Sequence, residues 1–249
     1  MKIWQKALLF FAELVVLCVV VAVWYIVDKF GKLEVKEIDR EAIDLIIAPE
    51  VKANEALKGY TNYLLLGTDA RDNSLEAMNK TGEGNTDAII IASLNNDTKE
   101  VKLASVYRDS LLQVDYDGGI TTKITHAYAY GGPEMAVRAL NANLDLEITD
   151  FVTVNFTALA QAIDDLGGIT IDVREAELEM LNACITEQIG ISGEYSDGVF
   201  SAGTQLLNGT QATGWARIRS TDQGDITRTE RQRTVIAKMI QKAKSSDLS

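Results

Sequence analysis

The sequence predicts an α/β domain in which a central mixed sheet lies between two layers of helices, in an α/β/α arrangement. Short apolar runs alternate along the chain with segments of helical apolar spacing. Several runs, such as "NYLLLG" and "DAIIIA", are apolar on both faces, which is typical of strands in the middle of a sheet. One N-terminal apolar segment precedes the domain and is long enough to span a membrane.

Composition and charge exclude several classes of protein. With 249 residues, of which 47% are hydrophobic and 24% charged, the chain has the make-up of a globular domain, not of a disordered or fibrous protein. Its formal net charge of −12 gives no general attraction for nucleic acid, which needs a basic face. The single histidine, His126, excludes a multi-histidine metal centre, and neither a P-loop nor a Gly-x-Ser-x-Gly nucleophile elbow occurs.

The first 27 residues predict a membrane anchor. Ala7 to Val27 form a run of 21 residues with one charged side chain, Glu13, and a helix of that length covers the roughly 30 Å hydrocarbon layer. Because Lys2 and Lys6 precede the run, we expect a cytoplasmic N-terminus and an extracytoplasmic domain. A cleaved signal peptide is the alternative, disfavoured because the run is long and no A-x-A site follows it cleanly.

The predicted order along the chain is a cytoplasmic tail (1–6), a transmembrane anchor (7–27), a juxtamembrane stalk with a lead-in helix (28–60) and the α/β domain (61–249). The domain opens with a buried strand and a loop at "NYLLLGTDAR". Two strands joined by an Asn-Asn-Asp turn follow. A helix with proline in its first turn comes next, and then strand, helix, Gly-Gly stop and strand. Residues 175–205 have no regular pattern.

Five of the ten arginines lie between residues 213 and 233. If "WARIR" is extended, Arg217 and Arg219 point to one face and Ile218 to the core. A helix beginning after "TDQGDI" would carry Arg228, Arg231 and Gln232 on one face, with Arg228 near an N-terminus that favours anions. The two elements would face one another across an anion. The alternative, a solvated helix face with local salt bridges, stays open from this segment alone.

Acidic side chains stand at the ends of neighbouring predicted strands. Asp69 and Arg71 follow the first strand, Asp87 begins the next, and Arg108 ends the one after. Open α/β sheets keep their ligands at such strand ends. Asp69 and Asp87 would share a divalent cation such as Mg²⁺, which binds one or two carboxylates together with water and phosphate. Turn formation and helix capping are the alternative roles for these aspartates.

Taken together, these segments resemble the LytR–CpsA–Psr family of cell-wall ligases. The resemblance is carried by "LLLGTDAR", "NTDAIIIASL", "VKLASVYRDS", "KITHAYAYGGPE" and "LNGTQATGWARIRSTDQGDITRTERQR", in the family's order and spacing, from about Asn62 to Lys242. No single piece is specific, but the set is.

The resemblance implies a membrane-anchored enzyme of a Gram-positive type of envelope. Such an enzyme binds a polyprenyl-pyrophosphate-linked glycan and moves its glycan phosphate to a peptidoglycan hydroxyl, with Mg²⁺ or alternatively Mn²⁺ as cofactor and with polyprenyl-pyrophosphate hydrolysis as a side activity. It implies that the metal is held by Asp69 and Asp87. It implies that the diphosphate and head group are bound by Arg71, Arg108, Lys123, Arg217, Arg219, Arg228 and Gln232. Asp87 and Asp225 are the candidates for the general base.

The chain departs from the family pattern at two positions and also at its end. Asn85 stands where many members have arginine, so one head-group contact is expected to be absent. Tyr107 replaces a common proline, and the chain stops at Ser249, where many members continue. A non-catalytic member that binds the lipid carrier is therefore an alternative. A DNA-binding regulator is a second alternative, and the anchor and the acidic charge argue against it.

Overall fold

The computed structural model describes residues 41, 43, 47–55, 57–68, 85–219 and 224–246. The strands are β1 (Tyr60–Thr68), β2 (Thr86–Asn95), β3 (Val101–Ser105), β4 (Leu111–Val114), β5 (Ile120–Lys123), β6 (Ile148–Val154), β7 (Ile169–Val173) and β8 (Gly203–Leu207). The helices are α1 (Pro49–Lys52), α2 (Thr125–Leu144), α3 (Phe156–Asp165), a 3₁₀ turn (Glu175–Glu177), α4 (Leu178–Ser192), α5 (Gly209–Ala216) and α6 (Asp225–Ser246).

The central sheet has the strand order β3-β2-β1-β6. Strand β2 is antiparallel to both of its neighbours, whereas β6 is parallel to β1. Leu64 and Leu66 on β1 pair with Ile91 and Ile89 on β2, and all four are buried in one cluster with residues of α2. The α/β class and the mixed central sheet predicted from the sequence are confirmed.

The opposite face of the central sheet is covered by α6. Because side chains alternate along a strand, Ile90 points away from Ile89 and Ile91, yet it is buried. It pairs with Ser105 of β3, so these two side chains lie on the same face. Arg233 of α6 donates from Nη1 to Ser105 Oγ at 3.0 Å, which places this helix over the second face. Helices α2 and α6 thus lie on opposite faces of the sheet.

A second core lies around the β7–β8 pair. The two strands are antiparallel and pack with α3, α4 and α5. The prediction that residues 175–205 are irregular is wrong over Leu178–Ser192, which forms α4. Buried Leu181, Cys184 and Ile185 give that helix its apolar stripe, but the surrounding polar residues and glycine obscure the stripe in the sequence.

The predicted stalk contributes to the domain core. Ile43, Ile47 and Val51 are each less than a tenth exposed and belong to the central cluster with Leu64 and Leu140. The sequence shows their helical spacing but not what they pack against. The core therefore begins before the predicted boundary at residue 61.

The predicted membrane anchor, residues 7–27, lies outside the residues that the structure describes. Within the described ranges, no helix combines the length and the apolar character needed to cross a membrane.

Candidate active site

The start of β2 carries the central carboxylate of the candidate site, Asp87. Gly67 pairs with Ala88 and Thr68 pairs with Thr86, so Asp87 is the extra residue of a β-bulge. Bulges redirect a side chain away from the regular alternation of a strand, and they are frequent next to active sites.

The first residue of α2 fixes both the bulge and the segment that follows β3. Thr125 donates from Oγ1 to Thr86 O at 3.0 Å and from its backbone N–H to Arg108 O at 3.1 Å. One residue therefore holds the backbone of Asp87 and that of Arg108 at the same end of the sheet.

Three arginines converge on Asp87. Arg108 donates from Nη1 to Oδ1. Arg219 donates from Nη2 to Oδ2 at 3.0 Å, across 132 residues of sequence. Arg228 donates from Nη2 to the backbone O of Asp87 at 3.0 Å, and its Nη1 lies 3.6 Å from Oδ2. The predicted meeting of Arg108 with the C-terminal arginines is thus confirmed for Arg219 and Arg228.

This group carries more positive than negative charge. Arg108, Arg219, Arg228 and Lys123 carry four positive charges, and the carboxylates that form ion pairs with them among the described residues carry three negative ones, on Asp87, Asp109 and Asp225. The side chain of Arg228 is 4% exposed. Burial lowers the pKa of Arg228, and repulsion from Arg219 adds to this effect. Burial also lowers the pKa of Arg108, but the hydrogen bond to Asp87 together with the charges of Asp87, Asp109 and Asp225 outweighs it, and the net pKa is raised. An added anion would relieve the remaining repulsion between the arginines.

Lys123, at the end of β5, joins the group through a second carboxylate. Its Nζ lies 2.7 Å from Asp109 Oδ1, and Arg108 Nε lies 3.7 Å from Asp109 Oδ2. The hydrogen bond from Lys123 lowers the pKa of Asp109. The Lys123 side chain is about half exposed, so its ammonium group stands beside Arg108 and open to solvent.

The prediction that "WARIR" is extended is wrong. Asn208 accepts from the backbone N–H of Gln211, and the Gln211 side chain accepts from the Asn208 N–H, which forms a capping box that starts α5. The helix runs to Ala216, and Arg217 follows it with helical dihedral angles. The expectation that Ile218 points to the core is confirmed, since it is fully buried.

Arg217 therefore reaches partners that differ from those of Arg219. Its Nη2 lies 2.9 Å from Glu187 Oε2 on α4, and its guanidinium carbon lies 4.5 Å from the centre of the Phe156 ring. Its Nη1 is buried and makes no hydrogen bond to the residues that the structure describes. Glu187 could not be connected with the site from the sequence, because it lies in the segment predicted to be irregular. Phe156 could not be connected with it either, because its contact with Arg217 depends on tertiary packing.

Other predicted site residues are placed only in part. Gln232 lies half-buried on α6, four residues after Arg228. Asp225 opens α6, with Oδ1 3.6 Å from Arg228 Nε. Asp69 and Arg71 lie outside the described residues. No group of three or more histidine, cysteine or acidic side chains that could hold a metal ion occurs in the described part of the chain, so the two-aspartate metal site stays a prediction.

The chain is similar to proteins of known family. A model of the LytR_cpsA_psr family matches residues 30–248. The polyisoprenyl-teichoic acid–peptidoglycan teichoic acid transferase TagT of Bacillus subtilis is 30% identical over 195 residues, covering 78% of this chain and 56% of the relative. Biofilm regulatory protein A of Streptococcus mutans is 34% identical over 194 residues, covering 74% of this chain and 44% of the relative.

A solved structure gives the same result. The structure of LytR-CPS2A-psr family protein YwtF (TagT) with bound octaprenyl pyrophosphate lipid matches this chain with a TM-score of 0.57 and 25% sequence identity. The match covers 85% of this chain and 70% of the chain in that structure. The chain spans about half the length of the curated relatives it matches. Since the family model covers most of its residues, the chain belongs to the LytR–CpsA–Psr family.

Proposed function

We propose that the protein is a membrane-anchored, Mg²⁺-dependent phosphotransferase that moves a glycopolymer from a polyprenyl-pyrophosphate carrier to a peptidoglycan hydroxyl. The observation that carries the proposal is the convergence of Arg108, Arg219 and Arg228 on Asp87 from three distant segments. The transferase name of TagT and the octaprenyl pyrophosphate in a related structure support it.

The arginines suit the charge of a pyrophosphate diester. When the acceptor oxygen forms its bond to the glycan-bearing phosphorus, the bridging P–O bond breaks and polyprenyl monophosphate leaves with the bonding electrons. Guanidinium groups donate hydrogen bonds in pairs to phosphate oxygens and stabilise the charge that develops on them. Arg108, Arg219 and Arg228 would do so after exchanging Asp87 for the diphosphate. Water in place of the sugar hydroxyl would give the side hydrolysis of the carrier.

Asp87 is also suited to a metal ion. Its carboxylate is a hard oxygen donor, and its hydrogen bonds to Arg108 and Arg219 would be released once a diphosphate binds those arginines. With Asp69, it would hold Mg²⁺ or Mn²⁺, which supplies further neutralisation of phosphate charge when bound.

The acceptor hydroxyl must lose a proton, and Asp225 is the better placed candidate for the base. In the proposed complex the carboxylate of Asp87 would hold the metal ion, which leaves it less available to accept a proton. Asp225 is more than half exposed, and its Oδ1 lies 3.6 Å from Arg228 Nε in the first turn of α6. It can therefore accept a proton beside the diphosphate without breaking the arginine group.

Replacing Arg219 by alanine tests the proposed function. Arg219 is half exposed, so we expect Arg219→Ala to fold normally. Loss of one charge-stabilising donor should lower Mg²⁺-dependent release of polyprenyl phosphate by about 10²–10³-fold. The measurement is turnover of a polyprenyl pyrophosphate by the full-length protein, with the unfolding midpoint recorded for each variant.

Arg138→Ala is the matched control, because Arg138 pairs with Asp115 and Glu134 and has no contact with Asp87. Near-normal turnover in Arg219→Ala would contradict the proposal. Binding of the lipid by the wild type without release of polyprenyl phosphate would favour the non-catalytic alternative.

A further inference from the structure

A buried ion pair ties together the segments that carry the site arginines. Glu177 and Arg231 are 1% and 3% exposed. Arg231 donates to Glu177 Oε1 from Nη2 at 2.7 Å and from Nε at 3.2 Å. Asp87 is contacted by Arg108, Arg219 and Arg228, whereas Arg231 contacts Glu177 and the backbone of Ile218.

The environment of Glu177 satisfies its charge. Glu177 Oε2 accepts from Trp215 Nε1 at 2.9 Å and from the backbone N–H of Arg174 at 3.0 Å. The Arg174 side chain adds a hydrogen bond to Oε1 at 2.8 Å. Buried ion pairs of this kind are often no more stabilising than apolar residues of the same volume, so stability alone gives weak grounds for placing one here.

Arg231 also holds the backbone next to the site. Its Nη1 donates to Ile218 O at 3.0 Å. Ile218 lies between Arg217 and Arg219 in a segment without regular secondary structure, and Arg231 lies on α6, three residues after Arg228. One side chain therefore connects the segment that carries Arg219 with the helix that carries Arg228.

We propose that Glu177 and Arg231 are a positioning pair that sets the spacing of Arg219 and Arg228 for one diphosphate. Glu177 fixes the plane of the Arg231 guanidinium group, and Arg231 fixes the Ile218 carbonyl relative to α6. The inference rests on the proposed function, because it needs a diphosphate that both arginines bind. It adds to that function two residues that act through others.

The test is the affinity for inorganic pyrophosphate with Mg²⁺, measured by calorimetry on the full-length protein. Glu177→Gln keeps the shape of the side chain and removes its charge. We expect pyrophosphate to bind at least about tenfold more weakly, because misplacing binding groups by an ångström has effects of this size or larger. Arg231→Lys keeps the charge opposite Glu177, but one ammonium group cannot replace the fork that also reaches Ile218 O. We expect a similar loss for this variant.

Leu181→Ala separates positioning from general destabilisation. Leu181 is fully buried in the same core cluster, and its apolar side chain donates no hydrogen bond to the site. We expect this variant to lower the unfolding midpoint but to keep wild-type pyrophosphate affinity. Equal losses of affinity in Leu181→Ala and Arg231→Lys would overturn the positioning role, and Arg231→Lys decides the matter if Glu177→Gln does not fold.

The outcomes also separate this inference from the proposed function. If wild-type protein does not bind pyrophosphate, both fail together. If the wild type binds it and Arg231→Lys binds it equally well, the positioning pair alone is refuted. A rise in KM for the polyprenyl pyrophosphate that exceeds the fall in kcat would further support the pair, because positioning acts first on binding.

Discussion

Asp87 keeps three guanidinium groups together in the absence of a diphosphate. Arg108, Arg219 and Arg228 repel one another because all three lie around the same carboxylate. Burial of Arg228 further disfavours its charged form. The carboxylate offsets part of that repulsion. With Asp109 and Asp225 also counted, a small excess of positive charge remains, which attracts an anionic ligand.

Arg217 has a different resting partner, and that gives a prediction about affinity. Its ion pair with Glu187 at 2.9 Å competes with any anion for the same guanidinium group. Since Glu187 is about half exposed, the pair contributes about 0.2–1 kcal/mol. We therefore expect Glu187→Gln to bind pyrophosphate up to about fivefold more tightly, because 1.4 kcal/mol corresponds to a factor of ten.

Calorimetric titration with pyrophosphate at two salt concentrations checks this expectation. The gain should shrink at high salt, because ion pairs of exposed groups are screened. Glu179→Gln, on the same helix but without an ion pair to Arg217 among the described residues, is the control. Weaker binding by Glu187→Gln would mean that Glu187 supports Arg217 in the bound state as well.

At the scale of single residues, the sequence predicted identities better than partners. The arginine cluster and Asp87 could be singled out, because their residue types and positions beside strands and helices suggest phosphate and metal binding. The contact between Arg219 and Asp87 spans 132 residues and depends on how α5 and α6 pack. No local pattern in the sequence encodes such a contact. For the same reason, the ion pair between Glu187 and Arg217 could not be predicted.

Among the elements, the long helix α2 contains a break that glycine makes possible. Gly131 and Gly132 interrupt the helix, and Gly132 has φ 68° and ψ −160°. This combination is available almost only to glycine. The predicted position of Pro133 in the first turn of a helix is confirmed, because the second part of α2 begins there.

Gly132→Ala should therefore destabilise the fold. We expect a loss of about 1–3 kcal/mol, the usual cost of holding another residue in such a backbone conformation. Gly190→Ala is the control, since Gly190 lies inside α4 with open space around its Cα and ordinary helical dihedral angles. That change should stabilise by up to about 1 kcal/mol. Urea unfolding measures the change in free energy of unfolding for both variants. Equal changes for Gly132→Ala and Gly190→Ala would show that the backbone conformation at Gly132 does not require glycine.

Elements bounded by strong local signals were predictable, and those defined by packing were not. The turn between β2 and β3 forms as expected, with Asn95 Oδ1 accepting from the backbone N–H groups of Asp97 and Thr98. The prediction of an extended "WARIR" segment was wrong because the capping box at Asn208 starts a helix, α5, that runs to Ala216. The spacing of the residues in "WARIR" suits a strand as well, so the sequence alone did not exclude one. Helix α4 was missed because its few buried positions are separated by polar residues.

At the scale of the whole molecule, the candidate site joins the two cores. Asp87 lies on β2 of the central sheet and Arg108 in the turn that follows β3, whereas the segments before Arg219 pack in the second core around β7 and β8. Helix α6 contacts both, through Arg233 at Ser105 and through Val235 in the second cluster. Helix α6 therefore links the site to both cores, and the buried Glu177–Arg231 pair contributes to the stability of the second core through Trp215.

Glu177 makes that stability depend on pH. Burial raises the pKa of Glu177, but hydrogen bonds from the Arg174 backbone, Trp215 and Arg231 outweigh burial and lower it to about 2, from 4.5 in the unfolded chain. Because the folded-state pKa is the lower one, the stabilisation is fully present above pH 4.5. It is lost as the pH falls towards 2.

Glu177→Gln removes this pH dependence. The difference in free energy of unfolding between variant and wild type should therefore change with pH. At pH 7 we expect the variant to be less stable by about 3–5 kcal/mol, because the buried Arg231 loses the carboxylate of Glu177. Below pH 4.5 the wild type alone loses this contribution, so the gap should narrow by about 1.4 kcal/mol per pH unit. Urea unfolding at pH 7, 4.5 and 3 measures the gap. A gap that stays constant from pH 7 to pH 3 would show that Glu177 is not held ionised by its partners, and the buried pair would then lose the rigidity on which the spacing of Arg219 and Arg228 depends.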